Sequence, residues 1–172
     1  QSRSSAASDV YKRQTIESMK KLGLDAILIF RQESMYWLTG YDTFGYVFFQ
    51  TLVMDQKGNM ILLTRAPDLR QAQNTSNIKD IRIWVDKNNS DPTHELKNIL
   101  NELNLKGKNI GVEYEAYGMT GRSAMKLNES LKNFCTLGDY SELITALRVV
   151  KSNEEITYCL LYTSPSPRDA TL

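Results

Sequence analysis

Two kinds of hydrophobic pattern alternate along the chain. Short, almost wholly apolar runs are typical of strands covered on both faces, and apolar residues three or four positions apart are typical of one buried helical face. These patterns predict six strands, at Asp25–Phe30, Tyr46–Met54, Met60–Thr64, Ile81–Val85, Asn109–Glu113 and Phe134–Leu137. They predict helices at Thr15–Leu22, Arg65–Ala72, Pro92–Leu103, Thr120–Leu131 and Tyr140–Leu147.

The connections between these elements predict the fold class. Ser34–Gly40 is interpreted as a short turn before the second strand. Asp55–Asn59 is a turn that contains a glycine, so the second and third strands should form an antiparallel hairpin. Helices alternate with strands after that hairpin. The sequence therefore predicts an α/β, three-layer-like sandwich with a mixed, roughly six-stranded sheet flanked by helices.

The loop before the second strand combines aromatic rings with glycines. Five aromatic residues lie within positions 36–46, and two glycines allow the backbone to turn tightly there. We expect Trp37 to pack in the core. For Tyr41, Phe44 and Tyr46, core packing and a recognition role remain equally open, because rings on a loop are harder to bury.

Composition and charge exclude several classes of function. The 172 residues carry a net charge of +1, which gives no support for binding nucleic acid or an anionic membrane. No stretch has the apolar length of a transmembrane helix, and the first residues contain no apolar signal core. Cys135 and Cys159 have no metal-type or redox-type spacing and are interpreted as free thiols. We therefore expect one domain, in a reducing cytoplasm.

No catalytic constellation is visible in the sequence. His94 is the only histidine, which argues against a histidine-based metal site or a Ser-His hydrolase, and no phosphate loop or nucleophile elbow is present. Glu113 and Glu115 follow a strand, where α/β proteins often bind ligands, although such carboxylates are more often solvated or capping. Arg65 and Arg70 could bind a carboxylate, but surface ion pairs are the simpler interpretation. We expect neither a catalytic residue nor a metal ligand in this chain.

Both ends of the chain differ from the part between them. Gln1–Gln14 shows no sustained helical or strand period, and Cys159–Leu172 is rich in proline and serine. Two flexible natural tails are one interpretation. The interpretation that we prefer is that SAASDVYKRQ and CLLYTSPSPRDA are peptides translated from sequencing-adaptor read-through. The natural part would then extend from about Thr15 to Tyr158.

Several segments of this natural part occur in an informative order. LDAILIF is followed by YWLTGY, by the predicted hairpin and by IGVE, and Leu147–Ile156 (LRVVKSNEEI) follows the last helix. The series resembles the amino-terminal domain of the creatinase/prolidase family, the pita-bread metallohydrolases, and its last segment resembles the hinge between the family's two domains. The resemblance covers about residues 15–158. It looks most like bacterial Xaa-Pro peptidases and ectoine hydrolase-like enzymes.

The resemblance implies a division of the chain. Its parts are a non-native tail at 1–14, the creatinase/prolidase-like N-terminal domain at 15–150, the start of a truncated catalytic domain at 151–158 and a second non-native tail at 159–172. In the family, the catalytic domain binds two divalent metal ions. The resemblance therefore implies Mn, Co or Zn in the missing catalytic domain and no cofactor in this part.

The resemblance also implies a role for the aromatic loop. In the family, the N-terminal domain serves dimerisation and reaches over the active site of the neighbouring subunit. The expected function is a non-catalytic dimerisation and substrate-capping domain of a metal-dependent C–N bond hydrolase, in a homodimer that acts on a small peptide or amide. The alternative is a stand-alone α/β binding module without catalysis. The candidate substrate-pocket residues are Tyr41, Phe44, Tyr46, Phe48 and Arg65.

Overall fold

A mixed sheet forms the centre of the chain in a computed structural model that describes residues 5–88, 90–153, 155–157 and 160. Within these residues, six strands belong to the sheet: β1 (Ala26–Ile29), β2 (Thr51–Asp55), β3 (Met60–Arg65), β4 (Asp80–Trp84), β5 (Asn109–Val112) and β6 (Thr136–Asp139). The described helices are α1 (Ser5–Lys21), α2 (Gln32–Thr39), α3 (Leu69–Thr75), α4 (Pro92–Glu102), α5 (Gly121–Leu131) and α6 (Glu142–Val149). Short 3-10 turns lie at Gly45–Val47 and Ala66–Asp68.

The order of the strands confirms the predicted fold class. The sheet has the order β4-β3-β2-β1-β5-β6. β2 pairs antiparallel with both β1 and β3, so the predicted hairpin is confirmed, with Leu52 opposite Leu62. The pairs β3–β4, β1–β5 and β5–β6 are parallel. The mixed, six-stranded sheet flanked by helices is therefore as predicted.

Helices cover both faces of the sheet and bury two hydrophobic layers. Successive side chains of a strand point to opposite faces. Accordingly, Leu28 packs in one layer with Leu100 of α4 and Leu127 of α5. Its neighbour Ile27 packs in the other layer with Met35 of α2. Burial of each such side chain contributes about 1.5–3 kcal/mol, and it explains why β1 is a continuous apolar run.

The first helix begins earlier than predicted. It starts at Ser5, so the expectation that residues 1–14 lack a helical period is wrong for Ser5–Gln14. Ser8, Tyr11 and Thr15 are buried at helical spacing, and the Tyr11 ring stacks on Trp37 with the ring centroids 4.2 Å apart. The sequence shows no apolar stripe at these positions, because two of the three buried residues are polar. Trp37 is buried, as predicted.

The region before β2 also differs from the prediction. The predicted turn at Ser34–Gly40 is largely helical, because α2 occupies Gln32–Thr39 and buries Met35 and Leu38. The predicted strand at Tyr46–Met54 begins only at Thr51, since a 3-10 turn takes up its first residues. The predicted tail at 159–172 lies outside the described residues, apart from Leu160. No helix in the described part of the chain is long and apolar enough to span a membrane.

Candidate functional site

The side chain of Tyr41 points from its loop into the core. The residue is fully buried. Its hydroxyl donates to Gln50 Oε1 at 3.0 Å and lies 3.3 Å from Thr64 Oγ1. Burial raises the pKa of Tyr41 above its usual range. Of the two roles that the sequence left open, Tyr41 therefore has core packing in this domain, because its ring fills space between the loop and the sheet.

Three other predicted pocket residues are exposed within one short stretch of the loop. Phe44 is 88% exposed, and Tyr46 and Phe48 are 39% and 40% exposed. The Tyr46 ring meets the edge of Tyr117, with the centroids 5.8 Å apart. Tyr117 is itself 78% exposed and lies between β5 and α5. We call Phe44, Tyr46, Phe48 and Tyr117 the aromatic ridge.

The ridge depends on a close approach between two loops. A side chain at Gly118 would lie only 2.9 Å from the carbonyl oxygen of Tyr46 and would also overlap that of Phe48. Glycine is therefore required where the second loop crosses the first. The sequence did not show that Tyr117 belongs to the site, because about 70 residues separate it from Tyr46 along the chain. The local sequence feature that marks this crossing is a glycine directly after an aromatic residue.

Arg65 supports the ridge from the end of β3. Its guanidinium carbon lies 3.4 Å from the centroid of the Phe48 ring. Such a cation–π contact contributes roughly 0.5–2 kcal/mol. The Arg65 Nε atom also donates to Asp68 Oδ2 at 3.2 Å. Arg70, by contrast, is exposed on α3 and forms no ion pair with another described residue. Of the two arginines considered from the sequence, only Arg65 joins the ridge.

An open groove of about 680 Å³ adjoins the ridge. The beginning of α2, the loop between β5 and α5, and the end of α6 form its walls. This volume is in the range of pockets that hold small organic molecules. The lining residues are Phe30, Arg31, Gln32, Glu33, Tyr46, Tyr114, Glu115, Ala116, Tyr117, Met119, Thr145 and Arg148.

Arg31 ties the walls of this groove together. Its Nε atom donates to the Glu115 carbonyl at 2.6 Å, and Nη2 donates to the Glu115 carboxylate at 2.6 Å. Its Nη1 atom donates to Thr145 Oγ1 of α6 at 2.5 Å, and Glu142 lies 3.6 Å away. The hydrogen-bonding groups of Arg31 are thus occupied within the domain. Arg148 also lines the groove and forms no side-chain hydrogen bond or ion pair with another described residue.

The buried carboxylate of Glu113 caps the start of α2. Its carboxylate accepts hydrogen bonds from the Phe30 and Arg31 amides at 3.0 and 2.9 Å and from Ser34 Oγ at 2.7 Å. The residue is fully buried, and burial raises the pKa of Glu113 to about 7. Of the solvated and capping roles considered from the sequence, Glu113 therefore has the capping one. Glu115, which follows it by two residues, is exposed and pairs with Arg31.

The described residues do not fit a metal centre. Within them, no three His, Cys, Asp or Glu side chains converge in a way that could hold a metal ion. His94 is exposed in the first turn of α4. Cys135 is a free, half-buried thiol whose pKa burial raises to about 11, and Cys159 lies outside the described residues.

Two curated proteins are similar in sequence to most of this chain. An uncharacterized hydrolase/peptidase from Sinorhizobium fredii, y4tM, is 27% identical over 149 residues, which are 83% of this chain and 38% of that protein. The ectoine hydrolase of Halomonas elongata is 25% identical over 154 residues, which are 81% of this chain and 37% of that protein. The chain thus spans less than two fifths of the length of the curated relatives it matches.

Solved structures share the fold, and a family model shares the sequence pattern. A dipeptidase from Pyrococcus horikoshii superposes with a TM-score of 0.69 at 23% identity, over 86% of this chain and 38% of that one. An Xaa-Pro aminopeptidase from Streptococcus pyogenes gives 0.67 at 19% identity, over 84% of this chain and 100% of that one. The model of the creatinase/prolidase N-terminal domain matches residues 13–150, which is most of the chain. The chain therefore belongs to the creatinase/prolidase N-terminal domain family.

Proposed function

We propose that this chain is the substrate-capping and dimerisation domain of a metal-dependent C–N bond hydrolase, of Xaa-Pro peptidase-like or ectoine hydrolase-like type. Relatives named as a hydrolase/peptidase and as an ectoine hydrolase support this class of reaction. Both relatives are more than twice as long as the matched segment. The catalytic residues and the two divalent ions, Mn, Co or Zn, would then lie in the longer protein outside the described residues.

The observation that carries this proposal is the aromatic ridge beside the groove. An aromatic ring that is 88% exposed, as Phe44 is, contributes little to the core of its own domain. Contiguous exposed apolar side chains mark surfaces that bind something else, and rigid rings give contact area at a low cost in conformational entropy. We expect the ridge to form one wall of a substrate pocket when a catalytic domain lies against it.

The charged residues near the ridge fit a small peptide or amide. The Arg148 guanidinium forms no hydrogen bond or ion pair in the described part of the chain. Arg65 uses its Nε atom for Asp68, and its Nη atoms form no hydrogen bond to a described residue. Guanidinium groups pair well with carboxylates, such as the one that ends a peptide. Glu33, on the first turn of α2, supplies a negative charge in the same groove. We therefore propose a small zwitterionic substrate. Membership of the family separately leads us to propose a homodimeric, cytoplasmic enzyme.

We propose that this domain ends at residue 150. The family match ends there, shortly after α6. Beyond it, Ser152 and Glu155 form a reciprocal capping box: the Ser152 amide donates to Glu155 Oε2 at 2.9 Å, and the Glu155 amide donates to Ser152 Oγ at 3.2 Å. Such a box starts a new helix. We propose that this helix begins the next domain and that 159–172 is an addition to the natural sequence. We propose the same origin for 1–14, although α1 begins at Ser5 and the family match begins at residue 13.

Phe44→Ala tests the proposed function. Because the ring is exposed, the variant should unfold within about 0.5 kcal/mol of the wild-type chain. In the intact enzyme that carries this domain, kcat/KM for Xaa-Pro dipeptides or for ectoine should fall about tenfold or more, because a pocket wall is lost. Met125→Ala is the matched control, since Met125 is 76% exposed on α5 outside the groove. Unchanged kcat/KM in Phe44→Ala would mean that this loop does not form a wall of the substrate pocket.

A further inference from the structure

A buried carboxylate, that of Asp68, lies against the aromatic loop, residues 41–48. We propose that Asp68 is the positioning residue of this loop, which fixes Thr43 and Arg65 and thereby the direction in which Phe44 and Phe48 face. The inference rests on the proposed function, because it explains how the same surface is kept in one arrangement. Asp68 lies after β3, more than twenty residues from the loop in sequence.

A chain of hydrogen bonds connects Asp68 to the loop backbone. Asp68 is 8% exposed and Thr43 is 4% exposed. Thr43 Oγ1 donates to Asp68 Oδ1 at 3.3 Å and accepts from the Gly45 amide at 2.9 Å. The Phe48 amide then donates to the Gly45 carbonyl at 3.0 Å, which closes the 3-10 turn. The carboxylate therefore acts on the backbone on both sides of Phe44.

The space around Gly45 shows how closely the loop lies on this carboxylate. A Cβ atom at Gly45 would be 2.6 to 2.7 Å from the three carboxylate atoms of Asp68. Real side chains do not approach so closely, so either the loop or Asp68 would have to move. Glycine at this position allows the backbone to rest directly on the acid.

Arg65 completes the arrangement on the other side. A buried carboxylate is costly unless it is paired, and the Arg65 Nε–Asp68 Oδ2 contact at 3.2 Å provides the pair. The same guanidinium covers the Phe48 ring at 3.4 Å. Asp68 thus reaches the beginning of the loop through Thr43 and its end through Arg65.

The position of Asp68 in its own helix points to the same conclusion. Asp68 precedes α3, but its backbone angles are helical and differ from those of a residue that caps a helix with its side chain. Its carboxylate accordingly makes no bond to the α3 backbone. Its oxygens bind Thr43 and Arg65 instead. The carboxylate therefore serves the loop and not the helix that it begins.

Amide hydrogen exchange in the full 172-residue chain tests the inference. In Asp68→Asn and Asp68→Ala, exchange at Gly45 and Phe48 should accelerate about tenfold or more, because their anchoring bonds are weakened. Chymotrypsin should also cut the native chain faster after Phe44. Asp80→Asn is the matched control, since Asp80 also pairs with an arginine, at 2.5 Å, but lies on β4. It should leave loop exchange unchanged.

Variants of Thr43 separate positioning from general stability. Thr43→Ser keeps the hydroxyl and should retain slow exchange at Gly45, whereas Thr43→Val should accelerate it as Asp68→Asn does. Unchanged amide exchange in the loop of the Asp68 variants would overturn the inference. An equal acceleration throughout β2 and β3 would also overturn it, because such a result would mean general destabilisation. Neither result depends on catalysis. A failure of the proposed function would appear only in the kcat/KM of Phe44→Ala.

Discussion

The carboxyl group of Glu113 lies at the end of β5 without contact with solvent. Burial raises its pKa from 4.5 to about 7, although three hydrogen bonds and the charge of Arg31 act in the opposite direction. Between these two pH values the folded chain binds more protons than the unfolded chain. The contribution of Glu113 to stability is therefore complete below about pH 4.5 and is lost as the pH rises through 7.

Glu113→Gln should remove this dependence on pH. In the wild-type chain we expect Glu113 to lower the free energy of unfolding by about 2–3 kcal/mol between pH 4.5 and 7.5. Urea unfolding at both values should show a smaller decline in the variant, because glutamine does not ionise. Glu115→Gln removes the same charge from an exposed position and should keep the wild-type decline. An equal decline in Glu113→Gln would mean that Glu113 is ionised throughout this range.

Individual helices and strands show which local signals predicted the fold. The β2–β3 hairpin was predictable because a glycine-containing turn joins two apolar runs, and α4 was predictable because its apolar residues recur at helical spacing. The early start of α1 was not, since Ser8 and Thr15 are buried polar residues that bond to backbone carbonyls. The start of α2 depends on Glu113, whose partner Phe30 is 83 residues away in sequence. Such contacts leave no periodic pattern.

Tyr11→Ala tests whether the first turns of α1 are part of the folded domain. Tyr11 is 7% exposed and stacks on Trp37, so its loss should lower the free energy of unfolding by about 3 kcal/mol. Val10→Ala, at a neighbouring position that is 40% exposed, should change it by less than about 0.5 kcal/mol. Urea unfolding measures both. Equal stability of the two variants would show that Tyr11 does not pack in the folded domain.

At the scale of the whole molecule, the groove exists because three distant segments meet. Residues near positions 31, 115 and 145 form its walls, and each segment follows or belongs to a different predicted element. The sequence predicted those elements and the loop that carries Phe44. It did not predict that Tyr117 would join Tyr46, or that Arg31 would connect the walls, because these contacts depend on the order β2-β1-β5-β6 in the sheet.

Arg31→Met tests this connection, because methionine keeps much of the side-chain length without the charge or the donors. The variant loses the bonds to Glu115 and Thr145, so its free energy of unfolding should fall by about 1–3 kcal/mol. Arg82→Met is the control: Arg82 also pairs with two carboxylates, but on an exposed surface, where the loss should cost less than about 1 kcal/mol.

The segments in which amide exchange accelerates distinguish a local role of Arg31 from general stabilisation. Arg31, at the start of α2, donates a hydrogen bond to Thr145 in the middle of α6. This helix leads towards the proposed next domain. Amide exchange in Arg31→Met should therefore accelerate most in α6 and in the loop around Glu115, and least in β2 and β3. Acceleration spread evenly over the sheet would contradict this role. Acceleration confined to these segments would show that Arg31 holds α6 and the Glu115 loop against the start of α2.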